Sequence, residues 1–505
     1  MLSRMWSATI AGVDGIPVRV EADVSGGLPG LEIVGLADAA VKESRHRVRS
    51  AIKNSGFEMP ARRITVNLAP ADLHKDGSQM DLAVAAGILG ASGQLSGESS
   101  REYLLLGELA LDGTLRPVRG VLPMVLCLPD GIQGAILPWG NAGDVSFLEG
   151  MDLLLAKSLG EVATFLKGDA PLPRVVASAS HREPRAQTAV DAAEIRGQAV
   201  AKRALLVAAC GGHNMLMTGP PGVGKSMLAR ALPGILPDLT QEEALEVTRI
   251  HSVAGILPPG GGLIRHRPFR APHHTVTATA LIGGGANPRP GEISLAHRGV
   301  LFLDEMPEFA PSVLNVLRQP IEDGYAVVTR SRGSYRFPCR FQLVGAMNNC
   351  PCGRFGDDLA ECFCTPQSRR NYIGRISGPF LDRMDLCVAV NRVPVEELSG
   401  GREEASSKLL DQVLAARERQ RRRLDPAGLV CNSEMGPKEL STLVTFSGRA
   451  RKLSLDAVNK MRLSTRAYYR VLKVATSVAD LEGSPRVEEE HVAEALSYRQ
   501  TVGLP

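Results

Sequence analysis

The sequence predicts an α/β protein in which a parallel-sheet, phosphate-binding core stands between a smaller α/β unit and an all-helical end. Three observations carry that prediction. A glycine-rich stretch, GPPGVGKS, sits between a strand-like apolar run and a helix-like one. Further on, RGVLFLDEM closes four apolar residues with two carboxylates, as a buried parallel strand ending at a ligand site would. Beyond about residue 396 strand signals stop and amphipathic helical patterns follow one another.

Taken in order, residues 1–168 read as a compact α/β unit. RITVNLAP alternates Ile64, Val66 and Leu68 like a half-buried strand, and AAVKESRHRVRSAIKNSGF sets Val41, Val48 and Ile52 on one helical stripe that stops at Gly56. Residues 169–190 carry scattered prolines and small side chains without a period, which marks a linker. Residues 191–395 alternate β-rich runs with helices, the pattern of a mostly parallel sheet covered on both faces, and residues 396–505 form a helical lid. A net charge of +4 is too small to name a partner, so any nucleic-acid surface must be local. No apolar run nears the ~20 residues that span a bilayer, and the N-terminus lacks a signal-peptide core. The expected location is the cytoplasm, without membrane contact.

Gly219, Pro220, Pro221, Gly222, Val223, Gly224, Lys225 and Ser226, with Met227 opening the helix, form a loop suited to ATP. Its glycines let backbone N–H groups curl around phosphates, Lys225 can meet the terminal phosphate oxygens, and Ser226 can hold Mg²⁺. A glycine-rich turn with a surface lysine is the bland alternative, which the strand–loop–helix context disfavours. Asp304 is placed to order the Mg²⁺ shell and Glu305 to polarise the attacking water. A third strand, FQLVGAMNN, ends at Asn348, whose neutral amide can orient water against the γ-phosphate without adding negative charge.

GPFLDRMDL puts Arg383 in a short polar break, suited to projecting from a subunit edge onto a neighbour's phosphate. LSTRAYYRVLKVA sets Arg466 and Arg470 four apart on one helix face, where Arg466 would bring the lid onto the nucleotide. For both, an ordinary solvated or paired arginine stays open. Cys350, Cys352, Cys362 and Cys364 read C-x-C, nine residues, C-x-C: four thiolates able to close a tetrahedral Zn²⁺ site. Buried small hydrophobes or redox-active thiols are the alternatives. Structural disulfides are not expected in a reducing compartment.

Together these residues resemble an AAA+ ATPase of the magnesium-chelatase-like clade, and the chain is similar over essentially its whole length to the ComM/YifB family. The resemblance rests on GLPGLEIVGLADAAVKESRHRVRSAI, EIRGQAVAKRALLVAACGGHNMLMTGPPGVGKS, FRAPHHTVTATALIGGG, PGEISLAHRGVLFLDEMPEF, LVGAMNNCPCG, LDRMDL and LSTRAYYRVLKVA. It implies a P-loop ATPase core, ATP and Mg²⁺ held by the loop with Asp304 and Glu305, Asn348 as first sensor, Arg383 as a finger acting in trans and Arg466 as second sensor. It also implies a homo-hexameric DNA motor that extends branches during homologous recombination, notably when transformed DNA is integrated. One departure is visible: where the family pattern has Asn-Pro, this chain has Asn348-Asn349.

The N-terminal unit resembles the proteolytic domain of Lon, which uses a Ser-Lys dyad. Laid on that pattern, KDGSQMDL puts Ser78 at a proline position and Gln79 at the nucleophile, while Leu122 replaces the lysine. A hydroxyl without a base is a poor nucleophile, so this unit is expected to hydrolyse nothing and to serve assembly or DNA contact. GYAVVTRSRGSYRFPCRF reads as a hairpin whose tip carries Arg330, Arg332 and Arg336. Helicases of this clade line their pore with similar hairpins, so these arginines are candidate contacts to branched or single-stranded DNA; edge-strand protection is the alternative. The long segment before Asp304, with Gly260 to Gly262, His273, His274 and Gly283 to Gly285, reads as an inserted loop, the histidines structural. The run RERQRRRLD reads as a solvated helix face. Two other functions compete: a chelatase subunit driving metal into a porphyrin, set apart by the N-terminal unit and the cysteines, and an ATP-dependent protease, disfavoured by Gln79 and Leu122.

Overall fold

The computed structural model describes residues 1–36, 38–95, 102–176, 190–258, 261–285, 287–330, 333–357, 361–394 and 403–500. Most of the expected linker, Gly260 and Arg332 lie outside them.

The N-terminal unit is built on a seven-stranded mixed sheet, in the order Gly30–Val34, Arg63–Ala69, Asp14–Ser25, Leu2–Ala11, Tyr103–Leu105, Gly134–Pro138, Asp152–Ala156. The alternation in RITVNLA is realised: Ile64, Val66 and Leu68 are buried and their neighbours are not. The stripe of Val41, Val48 and Ile52 is the buried face of helix Ala39–Asn54, which Asp38 starts by accepting the Val41 N–H at 2.7 Å. Helix Asp81–Ala91 is buried nearly all round and fills the space under the sheet.

The core has a five-stranded, all-parallel sheet in the order Phe269–Arg270, Val300–Leu303, Gln342–Met347, Met215–Thr218, Leu386–Ala389. Its central strands are short apolar runs because both faces are covered. After Ala389 the described residues hold helices and no further strand, the longest being Ser406–Leu424 and Thr465–Glu482. These helices share one continuous apolar cluster with the sheet: Val413, Val471 and Val478 are buried with Met215, Leu232 and Val388. Among the described residues no helix is long and apolar enough to cross a membrane.

The N-terminal unit docks on the segment between the phosphate loop and Asp304. Asp14 pairs with Arg249, the Gly120 N–H donates to the Ser252 carbonyl at 3.1 Å, and the Gly262 N–H donates to the Gly143 carbonyl at 2.9 Å. Val13, at the turn between the first two strands, is buried with Ile250, Leu295, Val328 and Phe337. The last two belong to the hairpin Tyr325–Arg330/Gly333–Pro338, so this unit touches the element expected to meet DNA.

Candidate nucleotide site

The phosphate loop leaves strand Met215–Thr218 at Gly219, where a Cβ would lie 2.0 Å from the Val390 carbonyl, so only glycine fits. Gly224, at φ +96°, turns the chain into helix Lys225–Ile235, aiming that helix's free N–H groups at the loop. Pro221, Gly222 and Met227 are exposed, Val223 half-buried and Pro220 buried. The Lys225 ammonium donates to the Gly219 and Pro220 carbonyls at 2.7 Å each and to Asn348 Oδ1 at 3.1 Å. Burial pulls its pKa down to about 8, against the pull of Asp304 and Glu305. Held mainly by neutral carbonyls, it is available to phosphate oxygens, which make the stronger charge-assisted bonds.

Ser226 Oγ donates to Asp304 Oδ2 at 2.7 Å, so a hydroxyl from the first turn of the helix and a carboxylate just past strand Val300–Leu303 converge where one hard cation can take both oxygens. That donor set fits Mg²⁺. The next residue, Glu305, has φ +51° and ψ +45°, a left-handed conformation unusual for glutamate, and its N–H donates to Asp304 Oδ1 at 3.0 Å. Its carboxylate is 58% exposed, with His274 Nδ1 3.8 Å away. The strand ends therefore bring together Lys225, Ser226, Asp304, Glu305 and Asn348, as the motifs lead one to expect.

The four cysteines also come together: their sulfurs all lie within 4.8 Å of one another. Cys350 Sγ is 3.3 Å from Cys352 Sγ and 3.7 Å from Cys362 Sγ, and Cys352 and Cys362 are 3.7 Å apart. Thiolates at the usual Zn–S length on a tetrahedron sit about 3.8 Å apart, so the group fits Zn²⁺. The cluster abuts the phosphate loop. A Cβ at Gly353 would meet Pro221 Cδ at 2.9 Å, with the Asn348 amide nitrogen 3.9 Å off.

The arginines are elsewhere. Arg383 lies three residues before strand Leu386–Ala389, at the opposite end of the parallel sheet from the phosphate loop. The expectation that it projects is corrected. The side chain is buried, with Nε donating to the Arg318 carbonyl at 2.9 Å, Nη1 to the Pro379 carbonyl at 2.6 Å, and Nη2 pairing with Glu322 at 2.9 Å. Arg466 pairs with the same Glu322 oxygen. It does not bring the helical region onto the nucleotide of its own chain; it joins Arg383 at the far end of the sheet. Burial, with Arg318 and Arg470 close by, lowers the Arg383 pKa. Nothing in RQPIEDGY marks Glu322 as the shared partner.

The hairpin exists, but its charges do not form one tip. Ala326, Val328 and Arg330 share a face, on which Arg330 Nε donates to the Gly285 carbonyl at 3.4 Å. Arg336, opposite Val327, lies on the other face with its guanidinium 3.6 Å over the Tyr325 ring. The arginine-rich run is largely paired: Glu418 takes Arg421 and Arg422, and Arg423 takes Asp480. In the N-terminal unit Ser78 Oγ donates to Glu108, Gln79 Nε2 to the Asp76 carbonyl at 2.6 Å, and Leu122 is fully buried. Lys75, three residues upstream, is buried with its ammonium on the Pro70 carbonyl, so it is not the partner of Ser78.

Residues 191–398 match the family described as magnesium chelatase, subunit ChlI, residues 403–499 its C-terminal part, and residues 20–141 the family described as subunit ChlI of Mg-chelatase. Over 511 residues the chain is 42% identical to competence protein ComM of Haemophilus influenzae, covering 100% of this chain and 98% of the relative. The chain belongs to the ComM/YifB family of magnesium-chelatase-like AAA+ ATPases. Other members include YifB of Escherichia coli K12, 42% identical over 506 residues (99% and 97% covered), and an uncharacterized protein of Mycobacterium tuberculosis H37Rv, 44% identical over 504 residues (99% of each). The description attached to residues 20–141 names the chelatase too, so the N-terminal unit alone does not separate ComM/YifB proteins from chelatase subunits. Full-length likeness does.

Proposed function

We propose that this protein is an ATP-driven DNA motor, working as a ring of six in the cytoplasm and moving branched or single-stranded DNA during recombination and the integration of transformed DNA. The observation that carries this reading is the separation of the phosphate loop from Arg383 and Arg466 at opposite ends of one sheet, which leaves each site incomplete without a second copy. Such a head-to-tail interface forms a ring when its rotation closes, here after six copies. Full-length likeness to a protein named for competence supplies the biological setting.

In the assembled site, Lys225 and the loop N–H groups hold the phosphates, and the Asn348 amide and Glu305 carboxylate orient water. Ser226 and Asp304 would hold Mg²⁺, which when bound would screen the phosphate charge. As the water oxygen bonds to the γ-phosphorus and the bond to the β–γ bridging oxygen breaks, Glu305 takes the water's proton. Arg383 and Arg466 of the next protomer, on leaving the Glu322 carboxylate they share, would meet the charge that develops. Arg330 and Arg336, from the two faces of the hairpin, and Arg332 would each contact DNA backbone phosphates and make affinity steeply salt-dependent.

Zn²⁺ on Cys350, Cys352, Cys362 and Cys364 would brace the loop that touches Pro221 and Asn348. The N-terminal unit, about residues 1–168, hydrolyses nothing and serves as a scaffold. The test is ATP turnover with forked and four-way DNA, followed by strand exchange. Stimulation and exchange are expected; turnover indifferent to DNA but raised by a porphyrin-binding partner would instead establish the chelatase reading.

A further inference from the structure

We propose that His274 is the positioning residue for the Glu305 carboxylate, and that it links this carboxylate to the insert on which Arg330 leans. The sheet dictates the meeting. Strand Phe269–Arg270 runs parallel to Val300–Leu303, with Phe269 beside Val300 and Arg270 beside Leu301, so the two chains leave the sheet side by side in the same direction. His274 and Glu305 then emerge together, Nδ1 to Oε2 3.8 Å. Among the described residues no hydrogen bond reaches the Glu305 carboxylate, and His274 is the group of opposite charge type within 4 Å. Its ring is not free to wander: it lies against His273, tilted by 35° with centroids 4.0 Å apart, and meets Phe309 edge-on at 6.4 Å.

A general base must hold its oxygen within roughly 3 Å of the water it activates, and an exposed glutamate spreads over several rotamers. The left-handed backbone at Glu305 fixes where the side chain starts; a small rotation that closes the 3.8 Å gap to a hydrogen bond fixes where it ends. With Oε2 held by His274, Oε1 is left for the water proton. The imidazole donates and keeps its own proton throughout.

From His274 the chain passes through helix Ala278–Ile282, started by the Thr277 hydroxyl, into the short strands Gly283–Gly284 and Arg289–Pro290. There the Gly285 carbonyl accepts from Arg330 Nε. A backbone phosphate that draws Arg330 away therefore pulls on the segment that begins at His274, beside the base. This link to nucleic acid rests on the DNA-motor reading; the hold on Glu305 does not.

The test is steady-state ATP turnover of the full-length protein, with and without forked DNA, for His274→Ala, His274→Phe and His274→Gln. Phenylalanine keeps the stacking but loses the N–H, whereas glutamine keeps an N–H donor. Alanine and phenylalanine are expected to lower kcat about tenfold with the KM for ATP within about twofold, and glutamine to restore most of the loss. Stimulation by DNA should shrink in the first two and survive in the third. Parental kcat in His274→Phe, or a glutamine variant as slow as phenylalanine, overturns the proposal. If forked DNA fails to stimulate the parental protein the motor reading falls, while the kcat pattern still decides the role of His274.

Discussion

Two inactive variants should make an active mixture. In Glu305→Gln the water loses its base but Arg383 is intact; in Arg383→Ala the reverse holds. The phosphate loop follows the C-terminal end of strand Met215–Thr218, and Arg383 precedes the N-terminal end of its parallel neighbour, with Met215 beside Leu386 and Thr218 beside Ala389. Four strand residues alone put about 13 Å between those ends, and the Arg383 nitrogens already point at Arg318, Pro379 and Glu322 on the far side. An arginine finger is worth about 10³-fold in turnover and a general base about 10²- to 10⁴-fold, so each variant alone should fall to about a thousandth of the parental rate. In rings assembled from equal amounts, about a quarter of head-to-tail interfaces pair an intact Glu305 with an intact Arg383, and turnover per site should recover towards that fraction. Phosphate release measured across mixing ratios should peak at one to one. A mixture no faster than its components would refute assembly of the site from two copies, as would an Arg383→Ala protein at the parental rate.

Glu322→Gln should loosen both arginines at once. Leaving a buried cation unpaired costs about 3–5 kcal/mol; since Glu322 is 35% exposed and the amide oxygen still accepts, about 1–2 kcal/mol is expected. That lowers the thermal midpoint of the core by about 4 °C, and an unchanged midpoint would show that the shared carboxylate holds neither arginine. Purified protein should carry near one zinc per chain, and Cys362→Ser should lose it and bind ATP more weakly through the Gly353–Pro221 contact; a metal-free protein with full activity would remove the site. Burial lowers the pKa of His213 to about 4, so between pH 6.5 and 4 the unfolded chain takes up a proton that the folded chain refuses. Stability should therefore fall as pH drops through that window, by on the order of 3 kcal/mol. Urea midpoints at pH 7 and 5 should differ less in His213→Asn than in the parent.

The sequence carries what a ligand dictates and little of what folding alone decides. Phosphates demand glycines, a lysine and a hydroxyl at fixed spacing, so the loop from Gly219 to Ser226 is readable from composition and context. Asp304 and Glu305 are readable because an apolar strand must end before charge can begin. Four cysteines in two tight pairs announce themselves in the same way. Arg383 illustrates the opposite case: the polar break around it suggests an exposed side chain, yet its partners come from residues 318, 322 and 379, brought in by tertiary packing. The hairpin was legible as an element, but the opposed faces of Arg330 and Arg336 depend on a strand register set at the turn. For His274, the adjacent FRAPHH pattern carries no trace of the parallel pairing that puts it beside Glu305.

The N-terminal unit would be easy to lose if nothing else in the chain leaned on it. Val13 makes discarding it costly. It roofs Ile250, Val328 and Phe337, and a chain beginning at the core would turn that greasy floor outward on every subunit, inviting protomers to clump before they could encircle anything. The first turn of the chain thus acts as a dry seal over the core, independent of any chemistry in the unit that carries it.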